Sequence, residues 1–435
     1  MNRYGEPPDE LEEPSVYARS QRGAFRADAH RELVCGKPKV LCKVHLRSPT
    51  GHPIVYRKRI EQIEGSPKPG EYVGVLFEGE WQGYGIYNPR SELALRIVRW
   101  GMEPPDDAFW TQTLAQALSL RKDLLKVEET TNAYRLIHAE GDAVTGLVAD
   151  RYDSVVSVEA FSLGMLQRAQ AIGEKLCEMT GAKHLRIRPG PHIVAQEGYE
   201  GQDYSSEGCP AQVTITEHGV RYKVRFAGSH KTGFFCDQRD NRKRLAQFCK
   251  DKNVLDLCCY TGGFSVMAKK LGGAKNVIGV DLDQEPLALA KENANLNQVR
   301  VDFAQNDAFA YMRDLIRQKR RFDVVVLDPP KLITNRANIE EGSAKHFDLN
   351  KLAFQLLAQG GVMLTCTCAG LLSDDEFTRI VYTAARKASH DRKLTDPENP
   401  LRVQLFEKTG ASGDHPVAAN CPEGSYLKAM WLRAY

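Results

Sequence analysis

Two cysteines stand two residues apart in Leu364-Thr365-Cys366-Thr367-Cys368-Ala369-Gly370, where an apolar strand gives way to a small-residue turn. A cysteine thiolate is a strong nucleophile, able to form the covalent bond that an unreactive ring carbon requires before it can be substituted. Upstream, Asp256-Leu257-Cys258-Cys259-Tyr260-Thr261-Gly262-Gly263-Phe264 places a carboxylate at a strand end before a Gly-containing turn, and Asp328-Pro329-Pro330-Lys331 closes another apolar run. The first segment reads as a nucleotide-type cofactor site and the second as a substrate-side loop. With the thiol, they point to methyl transfer through a cysteine nucleophile.

At the cofactor turn, Gly262 and Gly263 leave room for backbone amides and the start of the next helix to approach a polar ligand, with Tyr260 and Thr261 in the same turn. A plain strand-to-helix turn is the competing reading. One strand later, Val280-Asp281 puts a carboxylate where it can accept hydrogen bonds from both ribose hydroxyls, against the alternative of a helix cap or a solvated side chain. Asn306-Asp307-Ala308 follows the next strand, and Asp307 is expected at an adenine edge or as the cap of a helix starting near Ala308. The chain has neither a G-x-G-x-x-G fingerprint nor a Walker loop, which disfavours nicotinamide and phosphate cofactors.

On the substrate side, Pro329 and Pro330 stiffen the corner, Lys331 extends it, and Asp328 is expected to hold the amino group or ring nitrogen of a base and to border the cofactor. A rigid strand-ending turn is the other reading. Carbon 5 of cytosine is a poor nucleophile, so thiolate attack at carbon 6 is needed to make an enamine that takes a methyl group. Strand alternation lets Cys366 and Cys368 point the same way, so chemistry alone does not choose between them, and both also read as small packed hydrophobes. Thr232-Gly233-Phe234-Phe235-Cys236-Asp237-Gln238-Arg239-Asp240-Asn241-Arg242 mixes aromatic and basic side chains. It is expected to close over both ligands, with Gln238 toward the cofactor and Arg239 and Arg242 toward the substrate; a helix start with salt-bridged arginines is the alternative.

These segments need a scaffold, and a chain of 435 residues, 42% hydrophobic and 26% charged, is long enough for about two or three domains with cores of their own. Lys and Arg number 59 against 56 Asp and Glu, so any basic surface must be local. Close cysteine pairs inside apolar runs argue for a reducing, cytoplasmic setting rather than a disulfide framework. The Glu-, Asp- and Pro-rich start lacks the pattern of a signal peptide, and no run of about eighteen apolar residues exists to span a membrane. Residues 1–37 read as a polar extension. Residues 38–103 carry short alternating stretches between Gly-rich turns, as a small β-barrel does, and 104–215 read as an α+β module with a helix near 165–179. Residues 216–435 alternate buried strands with helices, the pattern of an α/β doubly wound sheet.

The order of strand, Gly turn, strand-ending Asp281 and Asp307 resembles class I S-adenosylmethionine-dependent methyltransferases. The run Gly360 to Cys368 resembles the strand of RNA 5-methylcytosine methyltransferases that ends in Thr-Cys, which implies Cys368, not Cys366, as nucleophile. Many of those enzymes carry a second cysteine where Lys331 stands, so the base that removes the ring proton is left open. Pro67-Lys68-Pro69-Gly70, Gly85 to Ser91, Thr131 to Leu136, Gly146 to Tyr152, Thr232 to Arg242, Asp414-His415-Pro416 and Pro422 to Lys428 together resemble the bacterial large-subunit ribosomal RNA cytosine-5 methyltransferases over most of residues 38–435. That resemblance implies an N-terminal PUA domain, a central α+β module and a Rossmann-like catalytic domain. It also implies S-adenosylmethionine as cofactor and RNA as partner, gripped by basic clusters such as Arg57-Lys58-Arg59 and Arg239 to Arg244. Either bare RNA or a pre-ribosomal particle is compatible with it, and so is a homodimer through the PUA-side domains. Methylation of guanine nitrogen 7 or of an exocyclic amine, and a non-catalytic RNA-binding assembly role, are the alternatives.

Overall fold

The computed structural model describes residues 31–36, 41–191, 193–199, 201–226 and 232–435. The polar extension expected over 1–37 therefore lies outside the described residues, apart from 31–36. The chain divides into two compact units, the first ending its opening stretch at Ala115 and adding 142–149 and 156–209, the second comprising 116–141, 150–155 and 210–435. The segment 104–215 contributes to both.

In the first unit, Gly-rich turns cut the chain into six strands, β1 (Lys43–Leu46), β2 (Ile54–Val55), β3 (Ile60–Glu64), β4 (Glu71–Phe77), β5 (Glu80–Tyr87) and β6 (Leu95–Trp100). They form one sheet in the order β2-β6-β5-β4-β1-β3. Only the β1–β4 pair is parallel. Val44, Val55, Val73, Val75, Leu95 and Ile97 supply its core, but β4 and β5 are each buried at five consecutive positions and β6 at four, so the burial does not follow the period-two alternation read from the sequence.

Helix α1 (Asp107–Ser119) leads to β7 (Ala133–His138), β8 (Leu147–Tyr152), β9 (Val155–Ala160), α2 (Ala169–Thr180), β10 (His184–Pro189) and β11 (Tyr204–Ser205). The helix expected near 165–179 is interrupted. A single turn, Leu163–Leu166, is capped by the Ser162 hydroxyl, and α2 starts separately after it.

The second unit contains a ribbon, β12 (Gln212–Glu217) with β13 (Val220–Arg225), followed by α3 (Arg239–Ala246), β14 (Asn253–Leu257), α4 (Gly263–Lys270), β15 (Asn276–Asp281), α5 (Gln284–Leu296), β16 (Asp302–Gln305), α6 (Ala308–Arg317), β17 (Phe322–Leu327), α7 (Ile339–Gln355), β18 (Leu357–Thr367), α8 (Asp374–Thr395), β19 (Val403–Thr409) and β20 (Lys428–Ala434). The sheet runs β16-β15-β14-β17-β18-β20-β19. Parallel strands covered on both faces must be apolar throughout. Val254, Leu255 and Leu257 accordingly divide between two cores, one on each side of the sheet. Strand order reverses between β14 and β17, and in such sheets ligands bind outside the carboxyl ends at that point. This is the doubly wound α/β architecture expected from residues 216–435. Among the described residues, no helix is long and apolar enough to cross a membrane.

Candidate active site

The turn after β14 carries Cys258, Tyr260 and Gly262 at φ of 61°, 51° and 78°. The turn's N–H groups are used within the protein, Cys259 donating to the Val280 carbonyl at 2.9 Å and Gly262 to the Cys259 carbonyl at 2.8 Å. Two of the three left-handed residues are not glycine, so the turn holds backbone strain. Gly262 cannot be replaced without crowding, because a Cβ there would stand 3.1 Å from the Cβ of Ala290 and 3.3 Å from the Phe303 ring. The Thr261 carbonyl accepts from Asn293 on α5 at 3.0 Å, and that of Gly263 accepts from the Tyr222 hydroxyl at 3.0 Å, which pins the turn from two sides.

Asp281, at the end of β15, accepts the Tyr260 N–H at 2.7 Å and the Asp283 N–H at 3.1 Å. Beneath the turn, Asp256 is 1% exposed. Its Oδ2 accepts from the Ser265 hydroxyl at 2.6 Å, while Oδ1 has no partner among the described residues. Burial pushes this carboxyl up to about 7, with the Ser265 hydrogen bond opposing and the charge of Asp328 adding to the rise. Asp307 is exposed and caps α6 by accepting from the Ala310 N–H at 2.9 Å. The cap reading of this residue is thus realised in its geometry.

Asp328 follows β17, half-buried, and its Oδ2 accepts from Gln238 Nε2 at 3.0 Å. Asn241 in turn donates to Gln238 Oε1 at 2.6 Å, which fixes the amide orientation. Pro329 is buried, while Pro330 and Lys331 are exposed. One strand further, the two cysteines separate. Cys366 lies inside β18, fully buried opposite Ala429, and burial pushes its thiol well above the ordinary range. Cys368 stands one residue past the end of β18 and is half-buried. Between them, the Thr367 hydroxyl lies 3.1 Å from Nε2 of the buried His346 and accepts the Ala369 N–H at 3.2 Å. Burial lowers the His346 imidazole to about 4, so it is neutral at physiological pH.

Arg239 and Arg242 require a correction. Both were expected to face substrate, but they are 3% and 2% exposed. Arg239 donates to both Asp414 oxygens at 2.9 and 3.0 Å, and Arg242 to both Glu217 oxygens at 2.7 and 2.6 Å. The carboxylates are themselves buried, and charges out of water must be paired. These guanidiniums therefore hold Thr232 to Arg242 against β12 and the C-terminal loop and are not available to RNA phosphates. Burial alone would raise Asp414, but His415 and Arg239 outweigh it and hold the carboxyl well below the usual range. Arg57 and Arg59 likewise donate to nearby loops, Arg57 to the carbonyls of Pro89 and Ser91 and Arg59 to Ser48, Pro49 and Thr50, leaving Lys58 as the exposed member of that cluster.

Glu217, Asp414 and Ser265 were not legible in the sequence as partners of these groups. A carboxylate that ends a ribbon strand or sits in a loop has no periodicity to reveal its partner. For Asp414 the only signal was its place in a segment resembling known enzymes.

The sequence pattern of the S-adenosylmethionine-dependent methyltransferases matches residues 134–405, and that of the PUA-like domain matches 47–100. The protein named ribosomal RNA large subunit methyltransferase I from Vibrio cholerae is 37% identical over 387 residues, covering 87% of this chain and 94% of its own. Its namesake from Tolumonas auensis is 36% identical over 392 residues, covering 88% and 95%. The chain belongs to the ribosomal RNA large subunit methyltransferase I family. A solved structure described as a putative SAM-dependent methyltransferase from Streptococcus mutans, 18% identical, superposes with a TM-score of 0.73 over 90% of this chain and 99% of its own, and shares the fold. A second structure, SMU.776 complexed with SAH, gives 0.72 at 19% identity with the same coverage.

The cofactor is S-adenosylmethionine. The residues present fit it: the strand-end carboxylate of Asp281 and the unpartnered Oδ1 of Asp256 are acceptors suited to the hydroxyls and the ammonium of such a nucleoside. When bound, it supplies a methyl group on an electrophilic sulfonium.

Proposed function

We propose that this protein methylates carbon 5 of a cytosine in large-subunit ribosomal RNA, with Cys368 as the covalent nucleophile. The observation that carries this reading is the placement of Cys368 past the end of β18, one strand from Asp328 at the end of β17, while Cys366 is sealed in the core. The relatives, named ribosomal RNA large subunit methyltransferase I, supply the RNA class. In this mechanism the Cys368 thiolate forms a carbon–sulfur bond at carbon 6, and the ring electrons make carbon 5 nucleophilic. Asp328, its orientation held by Gln238, fixes the polar edge of the base. Carbon 5 accepts the methyl group, then loses its proton to a base, and the returning electrons expel the thiolate. The products are 5-methylcytosine, S-adenosylhomocysteine and a proton.

Incubation with labelled S-adenosylmethionine and large-subunit RNA lacking the modification, followed by nucleoside mass spectrometry, is expected to give 5-methylcytosine. Label on guanine nitrogen 7 or on an exocyclic amine would replace this reading with a non-covalent one, and no transfer together with no cofactor binding would favour an assembly role.

Asp281 is assigned to the ribose hydroxyls on its position at the strand end. Asp281→Ala is expected to weaken S-adenosylmethionine binding about 10- to 100-fold, the worth of hydrogen bonds to a charged group, when measured by calorimetric titration. Unchanged affinity would remove Asp281 from the cofactor site.

A further inference from the structure

Lys428 is a charge in a place built for apolar residues. It opens β20, an interior strand of the sequence Lys428-Ala429-Met430-Trp431-Leu432 in which all five residues are buried. Its Nζ lies 3.4 Å from the carbonyl oxygens of Ala369 and Tyr426, and among the described residues it forms no ion pair. Two long contacts to neutral oxygens compensate only in part for the water that a side chain left 9% exposed gives up. Its backbone pairs with Thr367, and its ammonium meets Ala369, so it brackets Cys368 from both sides along the chain.

We propose that Lys428 is the positioning residue that holds the Cys368 turn and supplies the positive charge favouring the Cys368 thiolate. The inference rests on the reading of Cys368 as nucleophile and adds the group that readies it. On ionisation the thiol proton goes to solvent, and the buried ammonium gains the anion that its two carbonyl contacts do not provide. Burial lowers the Lys428 ammonium, while the charges of Asp374 and Cys368 oppose that fall. The other anions at this corner are Asp328 and Asp237, which raise the neighbouring Cys366 thiol. They disfavour a second negative charge, which makes a nearby cation more necessary.

The test reads the thiol directly, without RNA. Wild type, Lys428→Met and Lys428→Arg are alkylated with iodoacetamide across a pH series, and fragment mass spectrometry separates Cys368 from Cys366. The wild-type midpoint at Cys368 is expected below that of an ordinary thiol, about 8.5. Lys428→Met is expected to raise it by about one unit, seen as roughly ten-fold slower alkylation near neutrality, and Lys428→Arg to restore most of the difference. A wild-type midpoint at or above 8.5 overturns the proposal without any variant, which keeps it testable should Lys428→Met fail to fold. An equal midpoint in folded Lys428→Met, its fold checked by S-adenosylmethionine binding, also overturns it. Failure of the underlying reading is separate: Cys368→Ala would then still methylate RNA, whatever the alkylation profile.

Discussion

Cys368→Ala is expected to reduce formation of 5-methylcytosine by at least ~10⁴-fold, the scale of loss when a covalent nucleophile is removed, while leaving S-adenosylmethionine affinity unchanged. The turn after β14 and Asp281 at the end of β15, assigned above to the cofactor, lie two and three strands from β18 in the sheet order, so the substitution is expected to leave them in place. Cys366→Ala provides the contrast. That thiol is fully buried and its ionisation is suppressed, so its loss is expected to affect packing and leave the covalent step in place. With RNA carrying 5-fluorocytosine at the target, the wild-type enzyme is expected to form a stable adduct, because the fluorine cannot leave as a proton does; Cys368→Ala should form none. An adduct that persists in Cys368→Ala and disappears in Cys366→Ala would reverse the assignment of the two cysteines.

The second large effect falls on stability. Asp414→Ala is expected to destabilise the protein by ~3–5 kcal/mol, since breaking one side of a buried pair strands the remaining charge. Asp414 accepts from both terminal nitrogens of Arg239, from the Arg135 backbone N–H and from His415 Nδ1. Arg239→Ala in the Asp414→Ala background is expected to cost less than the two single losses added together, because the stranded guanidinium goes with it. Chemical denaturation of the four proteins measures this coupling. If Arg239→Ala instead leaves stability intact and selectively weakens RNA binding, the guanidinium belongs to the substrate side after all.

Much of the fold was legible in the sequence, for identifiable reasons. Parallel strands buried on two faces must be written as apolar runs, and β14, β15, β17 and β18 were read from such runs. Candidate positions at their ends were legible because a doubly wound sheet presents its strand ends to ligands, which marked Asp256, Asp281, Asp328 and the cysteine pair. The short turn before α2 was not legible as a separate element, because Leu163, Met165 and Leu166 run on to Ala169 and Ile172 as apolar residues across the break.

Sequence alone thus determined the family, the cofactor class and which strand ends carry candidate residues, since these depend on local residue types in a fixed order. Tertiary structure decided which of two nearly equivalent cysteines is sealed and which is half-exposed. It also decided that Arg239 and Arg242 serve the fold and that Lys428 stands beside the thiol turn. Those outcomes depend on partners far away in the chain, Asp414 being 175 residues from Arg239 and Ala369 59 from Lys428. Pairing and burial at such separations are properties of the packed chain, and no local pattern records them.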